Sequence, residues 1–256
     1  DCHLTPTSLD FGYISSGDHR DMTFTIKNNG GGTVAGNVSE SCGHYSIVTG
    51  DGPYSLGAGD SVAVTVRFEP TSRGTRTCSI ETGNALCSNV PCTGEATDPD
   101  PGMPDTVRVE SLDLQPGTTE FDLRVYLHND EVLGGISIPI AWDSPDITCV
   151  AVDFSGSRVD YVNTKLFSID NPNHRVNVGV IVFFEPLVQP GSGLVFTLRF
   201  SVDPSAVQQI MIFDKTFYPP GGILMLSSST GSSFVPQFVP GTINLGNAPP
   251  GTSTLE

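Results

Sequence analysis

Through most of this chain apolar and polar residues alternate with a period of two. Turn clusters break the pattern roughly every ten residues, and together these features confine the chain to β structure. Met22, Phe24 and Ile26 alternate with Thr23, Thr25 and Lys27; Val62, Val64, Val66 and Phe68 alternate with Ala63, Thr65 and Arg67. Between such runs lie Ser15–Asp18, Asn28–Gly32 and Gly57–Asp60, rich in the residues that turns demand. About seven strands fit between Leu4 and Ala96, the number a sandwich requires. No long amphipathic helix is legible; only Pro204–Gln209 resembles a helical turn. With 28 glycines and 20 prolines in 256 residues, long helices are disfavoured throughout.

The texture changes at Thr97-Asp-Pro-Asp-Pro-Gly-Met-Pro-Asp105, which has no apolar pattern. Prolines stiffen such a run and charges keep it solvated, so residues 98–105 read as a linker between two domains. A calcium loop is the sharper reading of the same acids. Prolines occupy positions a ligand loop needs free, and no Asp-x-Asp-x-Asp-Gly pattern with a closing Glu exists in the chain, so linker is preferred. Alternation then returns. Phe121, Leu123, Val125 and Leu127 share one face; Ile136, Ile138 and Ile140 another; Leu194, Phe196, Leu198, Phe200 and Val202 a third. Val176–Phe184 passes from alternating to continuously apolar and is expected to be a central strand covered on both faces. Residues 247–256 read as a flexible, small-residue tail. The expected organisation is all-β: a sandwich over 1–97, the linker 98–105, a second sandwich over 106–246, and the tail.

Six cysteines, five of them before residue 98, indicate an oxidising compartment. The Cys87–Cys92 spacing also suits one half of a zinc site, but no second pair follows it. A two-residue turn at Thr82-Gly83 places Cys78 opposite Cys87, within reach of a bridge. Cys42 and Cys92 are then natural partners and Cys2 is left over; a bridge from Cys2 to Cys42 or Cys92 is the alternative. Cys149, alone in Ile147–Val152, reads as a small buried hydrophobe.

A net charge of −16 opposes binding to nucleic acid or anionic membrane. No apolar run of about 18 residues is present, so no membrane span is expected. No signal peptide precedes Asp1-Cys2, which reads as a processed or trimmed start; Leu255-Glu256 reads as a cloning scar or a cut end.

The first domain resembles the immunoglobulin-like modules of the ASH/MSP/Hydin superfamily, through Leu4–Gly12, Phe24–Gly30, Val64–Pro70 and Cys92–Glu95. The second resembles a cohesin-type module, through Val125–Asn129, Gly134–Asp143 and Gly193–Phe200. These resemblances imply an immunoglobulin-like sandwich followed by a cohesin-like jelly roll, on a secreted or surface protein of a bacterium. Cohesins dock partner modules called dockerins, so the implied partners are proteins, either a dockerin-like module or copies of the chain itself.

No catalytic constellation is legible. His44, His128 and His174 are scattered, Gly30–Gly32 lacks the Lys-Ser/Thr and helix of a phosphate loop, and Gly191-Ser-Gly193 lacks a nucleophile elbow. A single tryptophan, Trp142, argues against a sugar-stacking cleft and reads as a core or strand-end residue. No enzyme, cofactor or metal is expected. The expected function is a non-catalytic extracellular structural module, a spacer and docking or polymerising unit. The alternative is an adhesive module that binds polysaccharide or protein. Only three lysines (Lys27, Lys165, Lys215) are available to guard edge strands, and Ile181–Phe184, Ile210–Phe213 and Ile223–Leu226 are candidate pairing surfaces for a filament.

Overall fold

The computed structural model describes residues 1–246; the expected tail, 247–256, lies outside the described residues. The chain divides into two compact units, Asp1–Pro99 and a second beginning at Asp100. Each is built of strands packed face to face.

The first unit holds nine strands: β1 (Cys2–Thr5), β2 (Leu9–Ser15), β3 (Arg20–Asn28), β4 (Val34–Val38), β5 (Tyr45–Thr49), β6 (Gly52–Leu56), β7 (Ser61–Phe68), β8 (Gly74–Ile80) and β9 (Val90–Thr97). They form a sheet in the order β1-β3-β7-β5, a second in the order β2-β9-β8, and a ribbon β4-β6. In the antiparallel β3–β7 pair Phe24 faces Val64 and Met22 faces Val66, so both alternating runs turn the same face inward. Phe11, Phe24, Ile26, Val64, Val66 and Phe68 are fully buried there. Tyr45 stacks on Phe68 at 4.8 Å, and its hydroxyl donates to the carbonyl of Arg76 at 2.9 Å. The outward face of the same pair carries a Thr23–Thr65 hydroxyl contact of 3.0 Å and an Asp21–Arg67 ion pair of 2.8 Å. Asn28 ends β3 buried. Its amide donates to the carbonyls of Leu56 and Gly57, each at 3.1 Å, and its Oδ1 accepts from Gly30 N–H at 2.9 Å. One side chain thus closes the Asn28–Gly32 turn against the neighbouring one.

The disulfide pairing differs from the expected one. The bridges are Cys2–Cys87 and Cys42–Cys78, and Cys92 is a free, fully buried thiol. The reason is the β8–β9 register. The ladder runs from Gly74↔Ala96 to Ile80↔Val90, which sets Cys78 opposite Cys92, not Cys87. The hairpin does not close at Thr82-Gly83; it opens into a loop over 81–89. Thr82 is buried and donates its hydroxyl to the carbonyl of Cys87 at 2.8 Å. Gly83 has φ +67°, and a Cβ there would lie 2.5 Å from the backbone of Asn37. The loop therefore packs across β4, carrying Cys87 off the ladder and toward β1.

The second unit holds β10 (Thr106–Val109), β11 (Leu112–Leu114), β12 (Glu120–Asn129), β13 (Leu133–Trp142), β14 (Ile147–Asp153), β15 (Thr164–Asp170), β16 (Arg175–Ile181), β17 (Gly191–Val202), β18 (Gln209–Lys215), β19 (Met225–Ser228), β20 (Ser233–Phe234), β21 (Gln237–Val239) and β22 (Gly241–Leu245). One sheet runs β14-β17-β12-β10-β21. The larger runs β11-β22-β18-β13-β16-β15, with β19 and β20 attached at β13. Short parallel pairings, β10 with β21 and β11 with β22, tie the start of the unit to its end in both sheets. The alternating faces expected for Phe121–Leu127 and Ile136–Ile140 meet Phe196–Val202 in one core, but a β-bulge between β12 and β17 turns Val195 inward in place of the expected Leu194. Its centre is aromatic: Phe200 stacks on Phe121 at 5.2 Å, and meets Trp142 at 5.1 Å and Phe213 at 5.3 Å edge-on.

The expectation for Val176–Phe184 is corrected. Val176, Val178 and Val180 face the core, but Arg175, Asn177, Gly179 and Ile181 form the other face, and Phe183 and Phe184 are exposed beyond the strand end. The strand lies between β13 and the edge strand β15, and its burial alternates, so only one of its faces is covered.

Candidate docking face

The outward side of the larger sheet in the second unit is assembled by the alternation that buries the inward side. On β18, Met211 and Phe213 point into the core, so Ile210, Ile212 and Asp214 point out. Ala141 of β13 stands opposite Asp214. On β16 the outward residues are Arg175, Asn177, Gly179 and Ile181; their partners on the edge strand β15 are Asp170, Ser168, Leu166 and Thr164.

Apolar side chains on this face stand in solvent: Leu166 is 59% exposed, Ile210 64%, Ile212 48% and Ile181 39%. From β18 to β15 is three strand spacings, about 14 Å. Tyr218 crosses the face, its ring 5.0 Å from the Arg175 guanidinium and its hydroxyl 2.7 Å from Ser168 Oγ. Gly222, in the same turn, lies so close to Asn177 that a Cβ would approach its side chain to 2.9 Å. Arg175 also pairs with Asp170 at 2.9 Å. The Asn173 amide and then Arg175 hold the Asp170 carboxyl below its usual range.

Past the end of β16, Phe184 is 99% exposed. Its loop is tethered: Glu185 accepts from the backbone N–H of Asn163 at 3.1 Å and of Phe184 at 3.3 Å. The backbone N–H of Glu185 itself, then those of Asn163 and Phe184, hold the Glu185 carboxyl below its ordinary value. A fully exposed aromatic on a tethered loop beside an apolar face is the kind of residue that anchors interfaces.

The histidines are not gathered at one site. His128 Nδ1 lies 2.8 Å from Ser192 Oγ, but the two are cross-strand neighbours on β12 and β17, His128 half-buried and Ser192 exposed. His174 sits in the left-handed region at φ 49° and stacks on Trp142 at 6.2 Å; His44 accepts from Thr71 N–H at 3.4 Å. Trp142 is a core residue, as its strand-end position allowed. Among the described residues no helix is long and apolar enough to cross a membrane. Two of the segments expected as pairing surfaces, Ile181–Phe184 and Ile210–Phe213, supply Ile181, Phe184, Ile210 and Ile212 to this face, whereas Leu166 was not singled out by sequence. The available signal was alternation in β18 with apolar residues at both phases, Ile210-Met-Ile-Phe213, which leaves one apolar set outside whichever face is buried.

No protein-family model matches the chain, and no curated protein matches it. Solved structures similar to part of it are cohesins. They include a type I cohesin–dockerin complex from Clostridium thermocellum (12% identity, 56% of this chain and 99% of that one, TM-score 0.47). A type I cohesin from Pseudobacteroides cellulosolvens gives 12% identity over 59% and 98% of the two chains, TM-score 0.48. A non-cellulosomal cohesin from the archaeon Archaeoglobus fulgidus gives 15% identity over 57% and 93%, TM-score 0.42.

Proposed function

We propose that the chain is a non-catalytic, extracellular assembly protein whose second unit docks a partner protein on the outward face of its larger sheet. The observation that carries this reading is the exposed apolar set Leu166, Ile181, Ile210 and Ile212 on an ordered sheet face. A sheet open to water on one side ordinarily keeps that side polar. Two disulfides in the first unit support an oxidising, extracellular setting. The first unit, for which the immunoglobulin-like resemblance stands as a proposal, serves as a spacer.

The occupant we favour is a dockerin-like module, not a second copy. The residues that carry the cohesin-type resemblance, Val125–Asn129, Gly134–Asp143 and Gly193–Phe200, fall on β12, β13 and β17 of this unit. A chain of net charge −16 also repels itself, while a partner with basic groups around an apolar centre is attracted.

Leu166→Asp combined with Ile212→Asp tests this reading, because both positions are solvent-facing and the double variant keeps the core. Dockerin modules from the source organism, passed over the immobilised full chain, are expected to include at least one that binds wild type and not the variant. Equal binding to both, or concentration-dependent self-association in place of dockerin binding, contradicts the proposal.

A further inference from the structure

The acidic segment expected as a solvated linker is not solvated at its end. Asp105 is completely buried in the second unit, and its carbonyl accepts from Gln237 N–H of β21 at 2.8 Å. Residues 100–105 fold back onto the turn between β12 and β13. Met103 N–H donates to Asp130 Oδ2 at 2.7 Å, Asp130 N–H to Asp105 Oδ1 at 3.0 Å, and Asp105 N–H to Asp100 Oδ2 at 2.8 Å. Gly102 makes the fold-back possible. Its φ is +80°, and a Cβ there would lie 2.4 Å from Asp130 Oδ2.

This arrangement brings one carboxylate oxygen each from Asp100, Asp105 and Glu131 within 4.8 Å of one another. Acid clusters on surfaces are commonplace, but this one has Asp105 completely buried at its centre and too few donors for its oxygens. No hydrogen-bond donor reaches Asp105 Oδ2, and both carboxylate oxygens of Glu131 are buried without one. Asn129, also completely buried, donates from its amide nitrogen to the carbonyls of Glu131 at 2.6 Å and Gln189 at 3.3 Å, which leaves its Oδ1 without a donor. Arg158 is the cation within electrostatic reach of Asp105, yet its donors go to the carbonyls of Leu127, Gln189 and Gly191. Buried carboxylate oxygens that converge without donors need either a shared proton or a cation among them, and at neutral pH a cation serves several carboxylates at once.

We propose that Asp100, Asp105 and Glu131 bind one calcium ion, with Asn129 Oδ1 as the candidate further ligand. Every donor atom is a hard oxygen and no thiolate or imidazole takes part, which selects against zinc and copper. Several carboxylates, one of them with both oxygens free to chelate, suit the larger, flexible shell of calcium better than the small octahedron of magnesium. The ligands come from two segments far apart in sequence, so no single-loop calcium motif marks them. The ion clamps the incoming chain to the β12–β13 turn and fixes where the second unit begins.

Calcium-free full-length protein titrated calorimetrically with calcium chloride in 150 mM sodium chloride tests this. We expect one ion per chain, a dissociation constant between about 100 µM and 1 mM as in other extracellular sites, and binding by magnesium at least about tenfold weaker. Amide exchange at 100–106 and 128–132 should slow in calcium, which locates the site in the wild-type chain whatever the variants do. Asp105→Asn with Glu131→Gln should abolish the titration, whereas the charge-matched Asp18→Asn with Asp51→Asn should leave it intact. Failure of wild type to bind at millimolar calcium, or protection spread evenly over the chain, overturns the proposal. So does full binding by a folded Asp105→Asn, Glu131→Gln variant.

Discussion

Replacing Cys2 and Cys87 together by serine removes the bridge that ties the first strand to the 81–89 loop. The bridge spans 85 residues, but the Cys42–Cys78 bridge short-circuits 36 of them, so the loop it closes is 85 less 36, or 49 residues. Chain-entropy reasoning for a loop of that size gives about 4 kcal/mol of stabilisation. At a guanidinium slope of about 3 kcal/mol/M for a unit of this length, the midpoint falls by about 1.3 M. The assay follows circular dichroism and tryptophan fluorescence on one sample. Trp142, the sole tryptophan, sits in the core of the second unit, so its fluorescence reports that unit alone. The dichroism transition assigned to the first unit should shift while the fluorescence transition stays in place. A shift below about 0.3 M, or an equal shift in both signals, refutes the reasoning. So does peptide mapping that finds Cys78 bound to Cys87.

Asn28→Leu should destabilise the first unit by roughly 1–3 kcal/mol, because it strips the buried carbonyl of Leu56 and the half-buried one of Gly57 of the Asn28 donor; denaturant unfolding measures this. Cys92 and Cys149 are both buried, and burial pushes each thiol up to about 11. A thiol reagent at pH 8 should therefore find none in the native protein and two after denaturation. Burial, then the neighbouring carboxylates, raises Asp105 and Glu131 above the ordinary carboxylate range. Acids with folded values above their unfolded ones favour the folded state while protonated, so calcium-free protein should lose stability as pH rises out of that range. Melting temperatures in calcium-free buffer at pH 5 and pH 8 check the sign, and added calcium should restore the loss at pH 8.

The alternating runs made the architecture readable, since period two dictates which side chains share a face. What sequence could not supply was register. One hairpin drawn with a turn at Thr82-Gly83 sets Cys78 against Cys87; the actual ladder sets it against Cys92, and both bridges change as a result. Asp100 and Asp105 read as solvated because their partner turn, Asn129–Glu131, follows a whole strand pair later. Ile210 and Ile212 were legible as apolar, but not as exposed, because burial of the Met211–Phe213 phase is decided by pairing with β13.

The docking claim is tested most directly by isothermal titration of the full chain with the dockerin module selected by surface binding. The account predicts a one-to-one complex for wild type and at least a hundredfold loss of affinity in the Leu166→Asp, Ile212→Asp variant, with its melting temperature unchanged. Undiminished affinity in a folded variant would contradict it.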